Sequence, residues 1–99
     1  MIYVLYGHDE FSLKEELNRN FDTLNSRIVC DVADVVYVDS SGLGALIGGL
    51  KRARDAGGDL VVAAPNPRVA RILGVTGLNT IFNVKDDIAQ AVQYLKQRD

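Results

Sequence analysis

The sequence predicts a single small α/β domain on a mostly parallel sheet of about four strands. Short apolar, β-rich runs recur at Ile2 to Tyr6, Ile28 to Val32, Leu60 to Ala64 and Thr80 to Val84. Between them, apolar residues fall at helical intervals. The joins are short, so each strand returns through a crossover helix, the arrangement that makes neighbouring strands parallel. At 99 residues and 47% apolar content, the chain can fill one modest core.

Ile2 to Tyr6 reads as the first strand, and Gly7-His8-Asp9-Glu10 breaks it. Ser12 and Glu15 have capping-box spacing. Leu13, Leu17, Phe21 and Leu24 then mark a helix whose Lys14, Glu16 and Arg19 face away and which closes at Asn25-Ser26. Ile28 to Val32 is the second strand, followed by Asp34 and a strand-like approach over Val35 to Val38. A helix is expected from about Ser41 to Ala56, with Leu43, Leu46, Ile47 and Leu50 on its inner face. Lys51, Arg52 and Arg54 gather near its end, where the dipole favours cations, and Gly57-Gly58 stops it. After the Leu60 to Ala64 strand, the turn Pro65-Asn66-Pro67 leads into a helix carrying Val69, Ile72 and Leu73, with a break at Gly74 and Gly77. Asp86-Asp87 opens a last helix carrying Ile88, Ala91, Val92 and Leu95.

Composition narrows the function. A net charge of −2 with 24% charged residues gives no polyelectrolyte footprint for nucleic acid and no acidic disordered tail. No apolar run approaches the roughly 20 residues of a membrane span. The first residues lack a basic leader with a small-residue cleavage site, so a cytoplasmic location is expected. Cys30 has no second cysteine to pair with and lies in an apolar run, which fits a buried thiol in a reducing compartment better than a reactive one. His8 reads as a loop residue, the basic group at 51, 52 and 54 as a solvated helix end, and Asp86-Asp87 as helix-start acids. No metal, cofactor or catalytic set is expected.

The richest segment is Val35-Val36-Tyr37-Val38-Asp39-Ser40-Ser41-Gly42-Leu43-Gly44. It passes from β-rich residues to an acid, two hydroxyls and a glycine pair, then to Ala45-Leu46-Ile47. That is how a strand hands over to a helix, and the helix start is a place where backbone N–H groups and the dipole favour negative charge. A phosphate or nucleotide binder and a phosphorylation switch both fit such a junction, as does a plain serine N-cap. A dinucleotide fingerprint would need glycine at position 47, which is Ile47, and no P-loop pattern occurs.

Three motifs then come together in order: D-S-S-G-L-G from Asp39, R-x-x-G-G-x-L over Arg54 to Leu60, and V-x-R-x-L-x-x-T-G-L over Val69 to Leu78. With them, residues from about 27 to 95 resemble the STAS domain family of bacterial anti-sigma factor antagonists. The resemblance implies a non-enzymatic binding module. In that family the serine directly after the aspartate is phosphorylated by a partner that is both anti-sigma factor and serine kinase. The unphosphorylated form captures that partner and frees the sigma factor, and a serine phosphatase resets the switch. Carried onto this chain, Ser40 is the phosphoacceptor and Asp39 holds the loop beside it. Ser41 and Gly42 start the helix, and Leu43 belongs to the docking face.

The first third departs from the pattern. The family's opening hairpin and G-E-[LIV]-D-like segment are replaced by one strand and Gly7-His8-Asp9-Glu10. Residues 1–19 resemble instead the opening of the DNA polymerase III delta subunit. Residues 1–99 are thus expected to form one STAS-like domain with an atypical start over 1–26 and the family core over 27–99. A chimeric or engineered scaffold without regulatory function is the alternative. A missing first strand would leave a sheet edge unpaired, which predicts homodimers by edge pairing.

Overall fold

The computed structural model describes residues 2–7, 15, 27–36 and 38–97. Apart from Glu15, which is helical, the helix expected from Ser12 lies outside the described residues, as does the loop position of His8. Four strands are seen, β1 (Ile2–Tyr6), β2 (Arg27–Asp31), β3 (Asp59–Ala63) and β4 (Asn83–Lys85). Three helices accompany them, numbered here among the described residues as α1 (Ser40–Asp55), α2 (Pro67–Val75) and α3 (Ile88–Gln97). The strands lie in the order β1-β2-β3-β4, every pair parallel, with Val29 opposite both Val4 and Val61. The parallel α/β architecture matches the sequence expectation.

Strand periodicity sorts the side chains into two layers. Leu5, Ile28, Cys30, Leu60 and Val62 face one core with Leu46, Leu50 and Ala53 of α1 and Val69 and Leu73 of α2. Val29, Val61 and Ala63 face the other, where Ala91 and Leu95 of α3 cover them. Two crossovers of one hand, stepping in one direction across the sheet, put α1 and α2 on the same face. The remaining helix, α3, closes the opposite face. Both faces of β3 are therefore covered and all five of its residues are buried.

Two strand expectations are corrected. Val35, Val36 and Val38, the described residues of the expected strand-like approach, belong to no strand: Val32 N–H still reaches Ala63 O at 3.0 Å, then the chain turns, with Ala33 N–H on Asp31 Oδ1 and Val35 N–H on Val32 O. Val35 and Val38 are buried over the end of the sheet, so their apolar character fills the core rather than pairing a ladder. The last strand shrinks to three residues because Leu78–Thr80 coils into a 3₁₀ turn, fastened by Thr80 Oγ1 donating to Gly77 O at 2.7 Å.

The R-x-x-G-G-x-L motif has two physical jobs. Gly57 takes φ +89°, the left-handed conformation that lets Gly57 N–H reach Arg54 O and Gly58 N–H reach Ala53 O, closing α1 in a Schellman turn. Arg54, expected to be a solvated helix end, instead donates from Nε to Asp59 Oδ1 at 3.2 Å and from its guanidinium to Ile81 O at 2.9 Å. Asp59 is fully buried and also accepts from Leu60 N–H and Asn83 Nδ2. One carboxylate thus ties the end of α1 to the starts of β3 and β4. Asp59→Ala is expected to cost about 3 kcal/mol, because it orphans several donors at once, part of the loss being offset by solvent at Arg54. Urea unfolding measures this; a midpoint equal to wild type would contradict it.

Candidate functional site

The carboxyl ends of β2 and β3 carry the starts of α1 and α2, so the chemistry-bearing junction sits at the carboxyl end of the sheet. Asp39 is the N-cap of α1, with extended backbone at φ −94° and ψ −174°. Its Oδ1 accepts from Ser41 N–H at 2.9 Å and Gly42 N–H at 3.1 Å, and its backbone O accepts from Leu43 N–H. The capping role weighed for the serines therefore belongs to the aspartate. Ser40 is the first helical residue and exposed, and no described residue takes a hydrogen bond from its Oγ. Capping leaves its hydroxyl available for other chemistry.

This arrangement changes the expected electrostatics of the helix start. Two first-turn N–H donors already face a carboxylate, so the positive end of the dipole is largely matched within the chain. A phosphate on Ser40 would meet Asp39 beside it rather than an empty anion cradle. The junction is poorly suited to bind a free phosphate or a nucleotide, because Asp39 already occupies the first-turn donors.

Ser41 is exposed, Gly42 is buried, and Leu43 is half-buried, packed against the core below α1. The outward ridge runs through Ser40, Gly44, Ile47 and Lys51, all exposed. Ile47, expected on the inner face, is 42% exposed. The inner stripe follows Leu46, Leu50 and Ala53 instead, and a residue directly after Leu46 is turned about 100° away. Val36 is 59% exposed in the segment leading into α1. Spacing alone could have placed Ile47 outside; nothing in the sequence marks Val36.

Asn66 was also missed. Its Oδ1 accepts from Arg68 and Val69 N–H, both at 3.0 Å, and Pro67 stands at the first position of α2. An Asn-Pro pair before an apolar helical run is a start signal, so this cap was legible. Its second bond, Nδ2 donating to Val35 O, was not. Elsewhere, burial pushes the Cys30 thiol up to about 12, which keeps it protonated and inert. Among the described residues, no cluster of three or more His, Cys, Asp or Glu side chains could hold a metal ion. None of the described helices is long and apolar enough to cross a membrane.

Comparison with known proteins decides the family. The STAS domain family model matches residues 4–91. The chain belongs to the STAS domain family. A Thermotoga neapolitana protein named as a candidate anti-sigma factor antagonist is 32% identical over 84 residues, spanning 85% of this chain and 71% of that protein. The anti-sigma F factor antagonist of Paenibacillus polymyxa is 35% identical over 69 residues, spanning 70% of this chain and 59% of that protein. The crystal structure of a candidate anti-sigma factor antagonist from Thermotoga maritima superposes with a TM-score of 0.78 at 24% identity, covering 96% of this chain and 87% of that one. The match from residue 4 takes in most of the first third, so the polymerase-like reading of residues 1–19 and the chimera built on it are set aside. A strand-loop opening with Gly7 is common chemistry for a β-α unit, and nineteen residues of it did not discriminate between families.

The capping assignment separates Asp39 from Ser40 experimentally. Asp39→Ala should lower stability by about 1 kcal/mol, while Ser40→Ala should stay within about 0.5 kcal/mol of wild type. Thermal unfolding checks this, and the reverse ranking would return the cap to Ser40.

Proposed function

We propose that this chain is an anti-sigma factor antagonist, a non-enzymatic module that binds its partner when Ser40 is unphosphorylated. The partner is an anti-sigma factor that is also a serine kinase, and its capture frees a sigma factor. The observation that carries the reading is the exposed, unshared Ser40 hydroxyl on a helix start already capped by Asp39. Family membership and the names of its relatives support the partner class.

The chemistry balances simply. The kinase moves the γ-phosphoryl group of ATP onto Ser40 Oγ, takes the hydroxyl proton and leaves ADP. A serine phosphatase hydrolyses the ester and restores the alcohol. The docking face is the first turn of α1, where Ser41 is exposed, Gly42 buried and Leu43 half-buried, together with the outward ridge that carries Ile47 one turn on. A phosphate adds a charge of about −1.5 to −2 at neutral pH, directly beside Asp39. An interface closing over that ridge would have to bury this charge without a counter-ion, and binding is lost. Incubation with an anti-sigma factor serine kinase and ATP should add 80 Da, one phosphate by about that mass, on the peptide containing Ser40 and none in Ser40→Ala. Phosphate on another residue, or none with any kinase of this class, would overturn the reading.

Edge pairing between two copies belongs to the same proposal. Among the described residues β1 pairs with β2 alone, which leaves its other edge as a strand template. Sedimentation equilibrium should show a dimer that weakens on dilution; a monomer at every concentration would contradict it.

A further inference from the structure

We infer that Asn66 is a positioning residue for the switch, gripping from α2 the segment that delivers Asp39 and Ser40. The inference rests on the functional reading of Ser40 given above. Its structural part stands without it.

Two independent features converge on Asn66. The first is its divided side chain. Oδ1 takes two backbone N–H groups at the start of α2, and Nδ2 donates to Val35 O, 31 positions earlier. Two backbone donors on one end and a carbonyl on the other leave only one orientation of the amide that satisfies all three bonds. Only asparagine does both tasks in this reach. Aspartate and serine can cap, but neither offers an amide N–H to the carbonyl.

The second feature is the backbone that aims it. Ala64 has φ +56°, the left-handed region that a residue with a Cβ seldom adopts. Its N–H is fastened to Lys85 O at 2.9 Å, which holds the end of β3 to β4 while the chain turns. The turn sends Pro65-Asn66 across the sheet end toward the lead-in to α1. A strained non-glycine backbone persists where surrounding bonds over-determine it, and such positions gather at functional sites.

The gripped segment needs this hold. Among the described residues, Val35, Val36 and Val38 lie outside every strand and helix, Val35 N–H bonds only locally to Val32 O, and Val36 is exposed. The buried Val35 and Val38 side chains anchor it without direction. The Asn66 bond to Val35 O adds the directional constraint four residues before Asp39. A phosphoacceptor must present its hydroxyl within a narrow geometry, so slack here would reach Ser40 as lost alignment rather than lost binding.

Asn66→Asp and Asn66→Ser test this, since both retain an oxygen for the Arg68 and Val69 N–H groups and lack the donor to Val35. Hydrogen exchange should quicken at least about tenfold at the backbone amides of residues 35–42, with the amides of α2 within about twofold of wild type. In phosphorylation by an anti-sigma factor serine kinase, kcat should fall about tenfold with KM changed less than threefold. Asn66→Ala, which also removes the cap, should unsettle α2 as well. Unchanged exchange over 35–42 in both capped variants overturns the inference, as does protection lost across the whole domain. If wild type is not phosphorylated, the switch reading fails, and exchange still decides the role of Asn66.

Discussion

The carboxylate of Asp39 on the first turn of α1 is the interaction on which the rest of the account depends. By accepting from Ser41 and Gly42 it starts the helix, and in doing so it excuses Ser40 from structural duty. The helix that begins there fills one core with Leu46, Leu50 and Ala53, and its far end is locked by the Schellman turn and the Arg54–Asp59 pair. A hydroxyl is thus held on a rigid element and left facing out. That is what a modifiable residue on a stable scaffold requires.

Magnitudes separate the effects of a phosphate on fold and on interface. Two unit charges 4 Å apart repel by about 1 kcal/mol in water and about 4 kcal/mol at an effective dielectric of 20. At the exposed start of α1 the watery figure applies, and a weakened cap adds about 1 kcal/mol. A domain stable by about 5–15 kcal/mol survives that. Under a docked partner the same charge loses its solvent, and like-charge contacts there cost several kcal/mol, about a hundredfold or more in affinity. In the proposed switch, one modification would therefore abolish binding while leaving the sheet and helices as they are.

What was legible in the sequence follows the range of the interactions. The parallel α/β class, the strands near Val29 and Val61, and a helix beginning near Ser41 rest on local periodicity and capping, which neighbouring residues encode, although the cap proved to be Asp39 rather than a serine. Val35 to Val38 was misread because β-branched residues serve burial as well as pairing, and only the sheet's geometry shows that the ladder ends near Val32. Arg54 looked like a solvated cation because neither the burial of Asp59, five positions on, nor the approach of Ile81 O, 27 positions away, is encoded locally. Asn66 showed its cap but not its bond to Val35, for the same reason. Ile47 could have been placed by stricter use of the helical period; Ser40, the proposed phosphoacceptor, needed the family motif to stand out from an ordinary helix start.

Titration calorimetry of a STAS-binding anti-sigma factor into the unphosphorylated and the Ser40-phosphorylated chain, paired with thermal unfolding of both forms, addresses the claim most directly. Phosphorylation should weaken binding by at least about a hundredfold while the unfolding midpoint moves by no more than about 15 °C. Equal affinity in the two forms, or a loss of binding that accompanies an unfolded domain, would contradict a switch that acts through the interface alone.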